Sequence, residues 1–132
     1  MRYLTLLLAL IISSSAFSGP YSYACKIAGE YRVESKDGKL TTPKPNAKLY
    51  EGKDFNVDRK SGVVLGAIDN SSYEKKVVLD RGSKQQSFKL IWYSYTGFGA
   101  AANYLTIREY EESEKKPFSA IIDWEVLSGT CQ

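Results

Sequence analysis

The chain has only two cysteines, Cys25 and Cys131, and between them they enclose nearly everything that can fold. The residues ahead of Cys25 have the layout of an export signal. Met1-Arg2 is a short basic start, Leu4 to Ile12 is apolar apart from Thr5, and Ser13 to Ser18 is a small, polar exit. Ala16-Phe17-Ser18 is the best small-x-small cleavage site, so residues 1–18 read as a signal peptide and residues 19–132 as a single β domain. An exported chain with one such pair is expected to join its two ends by a disulfide. Closing a loop of that length removes unfolded-state entropy worth about 4–5 kcal/mol. Domains of this size have total stabilities of roughly 5–15 kcal/mol, so the bridge would carry a large share. A redox role would want a close Cys-x-x-Cys pair, which is missing.

Lipid attachment at Cys25 is the competing route. It wants an aliphatic residue at the first of the three preceding positions, where Ser22 stands before Tyr23 and Ala24. The apolar run also stops at Ile12, too far upstream. That run is too short to span a bilayer, and no second one follows, so no membrane insertion is expected after cleavage. Eighteen Lys and Arg against fifteen Asp and Glu give a net charge of +3, and Arg2 leaves with the signal. That near balance predicts no nucleic-acid partner. The expected localisation is extracytoplasmic, periplasmic or secreted.

From residue 27 onward the chain alternates apolar and polar residues in short runs, the period of half-buried strands. Ile27, Gly29, Tyr31 and Val33 are expected on one face, with Ala28, Glu30, Arg32 and Glu34 on the other. Phe55 and Val57 form a second run, Val63, Leu65 and Ala67 a third, and Val77 and Leu79 a fourth. Phe88, Leu90 and Trp92 form a fifth, and Leu105 and Ile107 a sixth. Phe118, Ala120, Ile122, Trp124 and Val126 read as one continuous apolar face of a last strand. The core is therefore expected to hold Phe88, Leu90, Trp92, Ile107, Phe118, Ile122 and Trp124. Turn residues break the runs at Asp58–Gly62, Asp69–Ser72 and Asp80–Ser83. Ser35 to Lys48 carries Asp37-Gly38, Pro43 and Pro45 and reads as an irregular loop.

Seven or eight strands joined mostly by short loops imply sequential antiparallel neighbours. If the cysteine-bearing ends meet, the sheet closes on itself and loses its edges. The expected fold is a small, all-β, antiparallel up-and-down β-barrel, with a β-sandwich as the alternative. Gly29-Glu30-Tyr31 resembles the Gly-x-Trp start of lipocalin-like barrels, a likeness of architecture with no second motif of that family behind it.

The chain contains no histidine. This removes His-based acid–base chemistry, Ser-His-Asp and Cys-His nucleophile systems and the usual zinc sites. Asp54-x-Asn56-x-Asp58 imitates the start of a calcium loop, but Arg59 stands where glycine is needed and Leu65 where the distal glutamate is needed. Glu109 with Glu111, and Asp123 with Glu125, are carboxylate pairs of the kind glycosidases use, but such pairs are also ordinary surface charge. Asn70-Ser71-Ser72 is a glycosylation sequon in a eukaryotic host. No catalytic residue, cofactor or metal is assigned.

Two features point to binding. Nine tyrosines survive signal removal, and Tyr93 and Tyr95 share a strand face. Thr96-Gly97-Phe98-Gly99-Ala100-Ala101-Ala102-Asn103 joins two strands without a single charge, which is unusual for a loop. Either it folds back and caps the barrel, or it presents Phe98 to a partner. Phe98, Tyr93, Tyr95 and Asn103 are the candidate partner-binding residues. The expected function is that of an exported non-enzymatic binding domain, an inhibitor or immunity-type protein acting on an extracytoplasmic protein partner. The alternative is a carrier of a small apolar ligand held inside the barrel.

Overall fold

The computed structural model describes residues 21–132, so the signal-peptide reading of residues 1–18 lies outside them. Nine strands follow in chain order: β1 (Ser22–Val33), β2 (Leu40–Thr41), β3 (Asp54–Asp58), β4 (Val64–Gly66) and β5 (Lys75–Arg81) come first. After them come β6 (Phe88–Thr96), β7 (Gly99–Ile107), β8 (Lys116–Ile122) and β9 (Glu125–Cys131). The one helical turn among the described residues is the 3-10 segment Pro45–Ala47, inside the proline-bearing loop.

All pairings are antiparallel, in the order β4-β3-β1-β9-β8-β7-β6-β5, with the two-residue β2 beside β1. Written as a circle, that order is 1-3-4-5-6-7-8-9, the sequence of an up-and-down barrel. The first and last strands do meet: Cys25 and Cys131 lie opposite each other, bonded, with Cα atoms 4.0 Å apart. The expected antiparallel β architecture and its disulfide are therefore present. Full closure is not, because no ladder joins β4 to β5. The sheet is a curled half-barrel with two edges.

Side chains hold the two edges together where the backbone does not. Arg59 follows β3, and its Nη2 donates to the carbonyl oxygens of Arg81 and Gly82 at 2.8 and 3.3 Å. Its guanidinium also sits 5.0 Å over the Tyr23 ring and 3.8 Å from a Glu109 carboxylate oxygen. Tyr23 is buried and donates its hydroxyl to the other Glu109 oxygen at 2.7 Å. Burial first, and then the adjacent Glu109 carboxylate, push the Tyr23 phenol far above its ordinary value. Gly62 lies against the inner face of β5 and β6, where a Cβ would come within 2.6 Å of Leu90 Cδ1 and 3.1 Å of Val78 Cγ2. Only a residue without a side chain allows that approach, and its φ of +74° also favours glycine.

The middle of the interior is an apolar cluster. Phe55, Phe88, Trp92, Leu90, Leu105, Ile107 and Leu127 are essentially inaccessible, and Phe118 and Ile122 are buried beside them. Phe55 and Phe118 meet edge to face at 5.1 Å.

Three expectations about strand faces need correction. On β4 it is Val64 that is buried, while Leu65 of the expected Val63, Leu65 and Ala67 face is 50% exposed. Trp124 is not core: it is 75% exposed. The long apolar run is two strands, β8 and β9, joined by a two-residue tip at Asp123-Trp124 with Asp123 at φ 52°. The turn changes the phase, so Glu125 and Leu127 point inward and Val126 outward. On β1 a bulge between Ile27 and Gly29 does the same. Glu30 then points inward at 1% exposure, while Tyr31 and Val33 face out.

Candidate functional site

The β6–β7 hairpin is the longest regular ladder in the fold and carries the surface of interest. Its register runs from Phe88↔Ile107 without interruption to Thr96↔Gly99, leaving Gly97-Phe98 as a two-residue tip. Thr96 steadies the tip: its hydroxyl donates to the Gly99 carbonyl at 3.1 Å and accepts the Phe98 amide at 3.3 Å. The flanking strands stop earlier. β5 pairs with β6 no further than Tyr93, and β8 pairs with β7 no further than Tyr104. From Ser94 and Ala101 outward the hairpin has no strand on either side. At about 3.3 Å per residue this finger stands roughly 10 Å beyond its neighbours.

Its chemistry is unusual for something so exposed. No charged residue occurs between Lys89 and Arg108. Phe98 is fully exposed and Tyr95 is 70% exposed. Tyr93, half-buried, packs edge to face against Tyr95 at 5.8 Å. Phe98 therefore does not fold back to cap the barrel. Phe98 and Tyr95 lie on the projecting part of the hairpin, and Tyr93 lies at its base, where β5 still pairs.

Asn103 does not share that surface, being only 4% exposed. Its Oδ1 accepts the Asp123 amide at 2.9 Å, so it braces the neighbouring β8–β9 tip from below. That tip supplies the aromatic that the sequence reading placed in the core, Trp124. By strand direction Trp124 lies at the same end of the sheet as Phe98. The Trp124 carbonyl accepts the Val33 amide, and Trp124, Val33, Arg32 and Glu125 line a shallow groove. Exposed Leu40 on β2 adds to the apolar surface there.

Beneath the tips the inner face turns polar. Glu125 is buried, and its Oε1 takes Arg32 Nη2 at 2.6 Å and Nε at 2.7 Å. Glu125 Oε2 and Asn103 Nδ2 are the two buried side-chain polar atoms without a partner among the described residues. Glu30 receives the amides of Leu49, Tyr50 and Glu51 at 2.8 to 3.1 Å. Burial alone would raise the Glu30 pKa, but the three amide donors outweigh it and hold the carboxyl below the usual range. The Tyr50 phenol is raised, first by burial and then by the carboxylates of Asp123, Glu125 and Glu30.

The other motifs resolve into structural roles. Phe55 and Val57 are buried and Asp54, Asn56 and Asp58 exposed, the plain alternation of a strand. Asp58 accepts from the Lys60 and Ser61 amides and the Ser61 hydroxyl, organising its turn. Asp123 and Glu125 do not share a face, because the turn at Asp123-Trp124 separates them. Glu109 is occupied by Tyr23 and Arg59. Asn70 is fully buried and bonded at both ends of its amide, which leaves no acceptor for glycosylation in the folded protein. Among the described residues no group of three or more acidic, Cys or His side chains is placed to hold a metal ion. No helix among them is long and apolar enough to cross a membrane.

Comparison of the chain with protein-family models, with curated proteins and with solved structures finds no match.

Proposed function

We propose that this protein is an exported, non-enzymatic binding domain that engages an extracytoplasmic protein partner through the β6–β7 finger. An inhibitor or immunity-type role fits a rigid scaffold with one projecting loop. One observation carries the reading: Phe98 is fully exposed at the end of a charge-free hairpin that outruns both flanking strands. A large apolar side chain held out in water has no benefit for the fold, whereas rigid aromatics on a projecting element are the usual anchors of an interface. Trp124 and Tyr95 enlarge the same end of the surface. The disulfide fits an oxidising compartment, and export by the N-terminal segment would deliver the chain there. A carrier of apolar ligands ranks second, because Trp92, Phe55 and Phe88 fill the space a ligand would need.

The test is paired capture from extracytoplasmic extract, with the parent protein and Phe98→Ala as baits, followed by titration of any protein retained. Loss of about 2 kcal/mol of binding, near 30-fold, is expected for the variant. Equal retention by the two baits would refute the anchor role.

A further inference from the structure

Apart from the two-residue β2, which pairs only with β1, the strands β4 and β5 have a hydrogen-bonded neighbour on one side only, and the fold treats their open sides differently. β4 is covered from within. The Asn70 Oδ1 accepts the Val64 amide at 2.8 Å, its Nδ2 donates to the Gly62 carbonyl at 2.8 Å, and its own amide donates to the Val64 carbonyl at 3.1 Å. β5 has no such cover. Among the described residues, no hydrogen bond from outside the β5–β6 ladder reaches the backbone between Lys75 and Asp80. Arg59 covers only the far end, at the carbonyls of Arg81 and Gly82.

The side chains along this edge read Lys75-Lys76-Val77-Val78-Leu79-Asp80-Arg81. Val77 and Leu79 are exposed, at 38% and 56%, between basic residues at both ends. Val77 also begins a row of outward apolar residues that runs across the sheet through Ile91, Tyr104, Ile121, Val126 and Tyr31. Natural edges are usually blunted by charge and bulges, and β5 has both, with a bulge between Val78 and Asp80. On the outer face, antiparallel pairing of two copies centred on Val78 would set Lys75 opposite the Arg81 of the other molecule, twice over, although the same register sets Lys76 opposite Asp80 on the inner face. A segment with acidic ends meets Lys75 and Arg81 without that outer-face repulsion.

We propose that β5 is a strand-addition site for an extended segment of another protein, one with alternating apolar residues flanked by Asp or Glu. Such a segment would pair with the open backbone groups, cover Val77 and Leu79, and set its carboxylates against Lys75 and Arg81. The site goes beyond the Phe98 finger, and neither depends on the other.

The experiment follows amide exchange in the intact, oxidised protein by NMR. The probes are two synthetic nonapeptides: Thr-Val-Thr-Val-Thr with two Glu at each end, and the same core with two Lys at each end. The Glu-flanked peptide is expected to slow exchange at alternate amides between residues 75 and 80 at least tenfold, and the Lys-flanked peptide to leave them unchanged. The double variant Lys75→Glu, Arg81→Glu should reverse that preference. Leu79→Lys, on an exposed side chain, should keep the parent melting temperature and lose the effect. Protection of these amides in the peptide-free protein would overturn the proposal. So would equal slowing by both peptides, or none by either. Dimerisation of the parent that Leu79→Lys abolishes, read by sedimentation, would assign the edge to a second copy instead.

Discussion

The two ends of the half-barrel are built on opposite principles. At one end Cys25 is bonded to Cys131, Tyr23 and Arg59 converge on Glu109, and Arg59 reaches across the seam to β5. Phe55, Phe88 and Phe118 there are turned inward, Tyr21 and Tyr110 stay exposed, and Arg59 and Glu109 are largely buried against each other. At the other end two hairpin tips leave Phe98 and Trp124 in solvent above an inner face that holds Glu125 and Asn103. The first end spends its side chains on closing the sheet. The second leaves apolar surface uncovered and polar atoms without partners, a cost to the isolated fold that a binding role would explain. Stability should thus be concentrated at the disulfide end, and substitutions can test that division.

The largest effect belongs to the disulfide. Replacing both cysteines by serine should lower unfolding stability by about 4–5 kcal/mol, read from urea denaturation of the double variant against the oxidised parent. A loss below about 1 kcal/mol would mean that the register of β1 on β9 already fixes the ends, and would erase the contrast.

Glu30 comes next, because its inward carboxylate pins the loop at Leu49–Glu51. Glu30→Gln sets an amide NH₂ among three N–H donors and should cost about 1.5–3 kcal/mol at neutral pH. The sign of the pH dependence follows from the direction of the shift. A carboxyl held low in the folded state contributes stability at and above the ordinary glutamate range and loses it as pH falls through its folded value. The gap between parent and Glu30→Gln should therefore narrow in acid, measured as melting temperature against pH. A gap that stays constant would show that Glu30 acts through packing and not charge.

Tyr23→Phe removes one hydroxyl from the seam. It leaves a Glu109 oxygen without its donor and should cost about 1 kcal/mol in the same denaturation assay. No change would mean that Arg59 holds the seam alone.

Much of this contrast was open to the sequence, and the parts that were not share a cause. Strand alternation found Phe55, Val57, Phe88, Leu90, Trp92, Ile107 and Phe118 because each lies in an unbroken strand, where a period of two fixes the face. It failed where one backbone irregularity shifted the phase. The bulge at Gly29 is invisible to side-chain pattern, since glycine fits either face, and everything beyond it was assigned to the wrong side. Asp123-Trp124 is a harder case. The apolar positions continue in step across it, and Asp-Trp lacks the Asn-Gly or Asp-Gly signature of a two-residue hairpin turn. A turn read there would have moved Trp124 from the core to the surface and turned Glu125 inward. The open seam was hidden for a different reason: ladder closure between β4 and β5 depends on Asn70 having already taken the β4 edge, a contact within a loop that reads only as polar. The Phe98 region stood out because an uncharged stretch between strands is anomalous by composition, but Thr96–Asn103 is not a loop: β7 begins at Gly99 and only Gly97-Phe98 form the tip. Asn103 closes that same uncharged stretch and was grouped with it, although the register places it inward, opposite Trp92.

The smallest effects should come from the most conspicuous side chains. Phe98 is fully exposed and Trp124 is 75% exposed, so truncating either removes little packing. Phe98→Ala and Trp124→Ala should each change unfolding stability by less than about 0.5 kcal/mol, whereas a buried aromatic truncated to alanine costs about 3–5 kcal/mol. The control is Trp92→Ala, since Trp92 is 1% exposed and belongs to the same hairpin as Phe98. Three thermal melts then compare the base of the β6–β7 hairpin with its tip and with the neighbouring β8–β9 tip. A steep fall for Trp92→Ala beside flat responses for Phe98→Ala and Trp124→Ala would show that the finger is rooted in the core and that its tip is free of any folding role. If Phe98→Ala instead lost several kcal/mol, the tip would be folded onto the barrel in solution. The uncovered end would then be a closed one, and the binding surface would have to be sought at Tyr93, Tyr95 and the face they share.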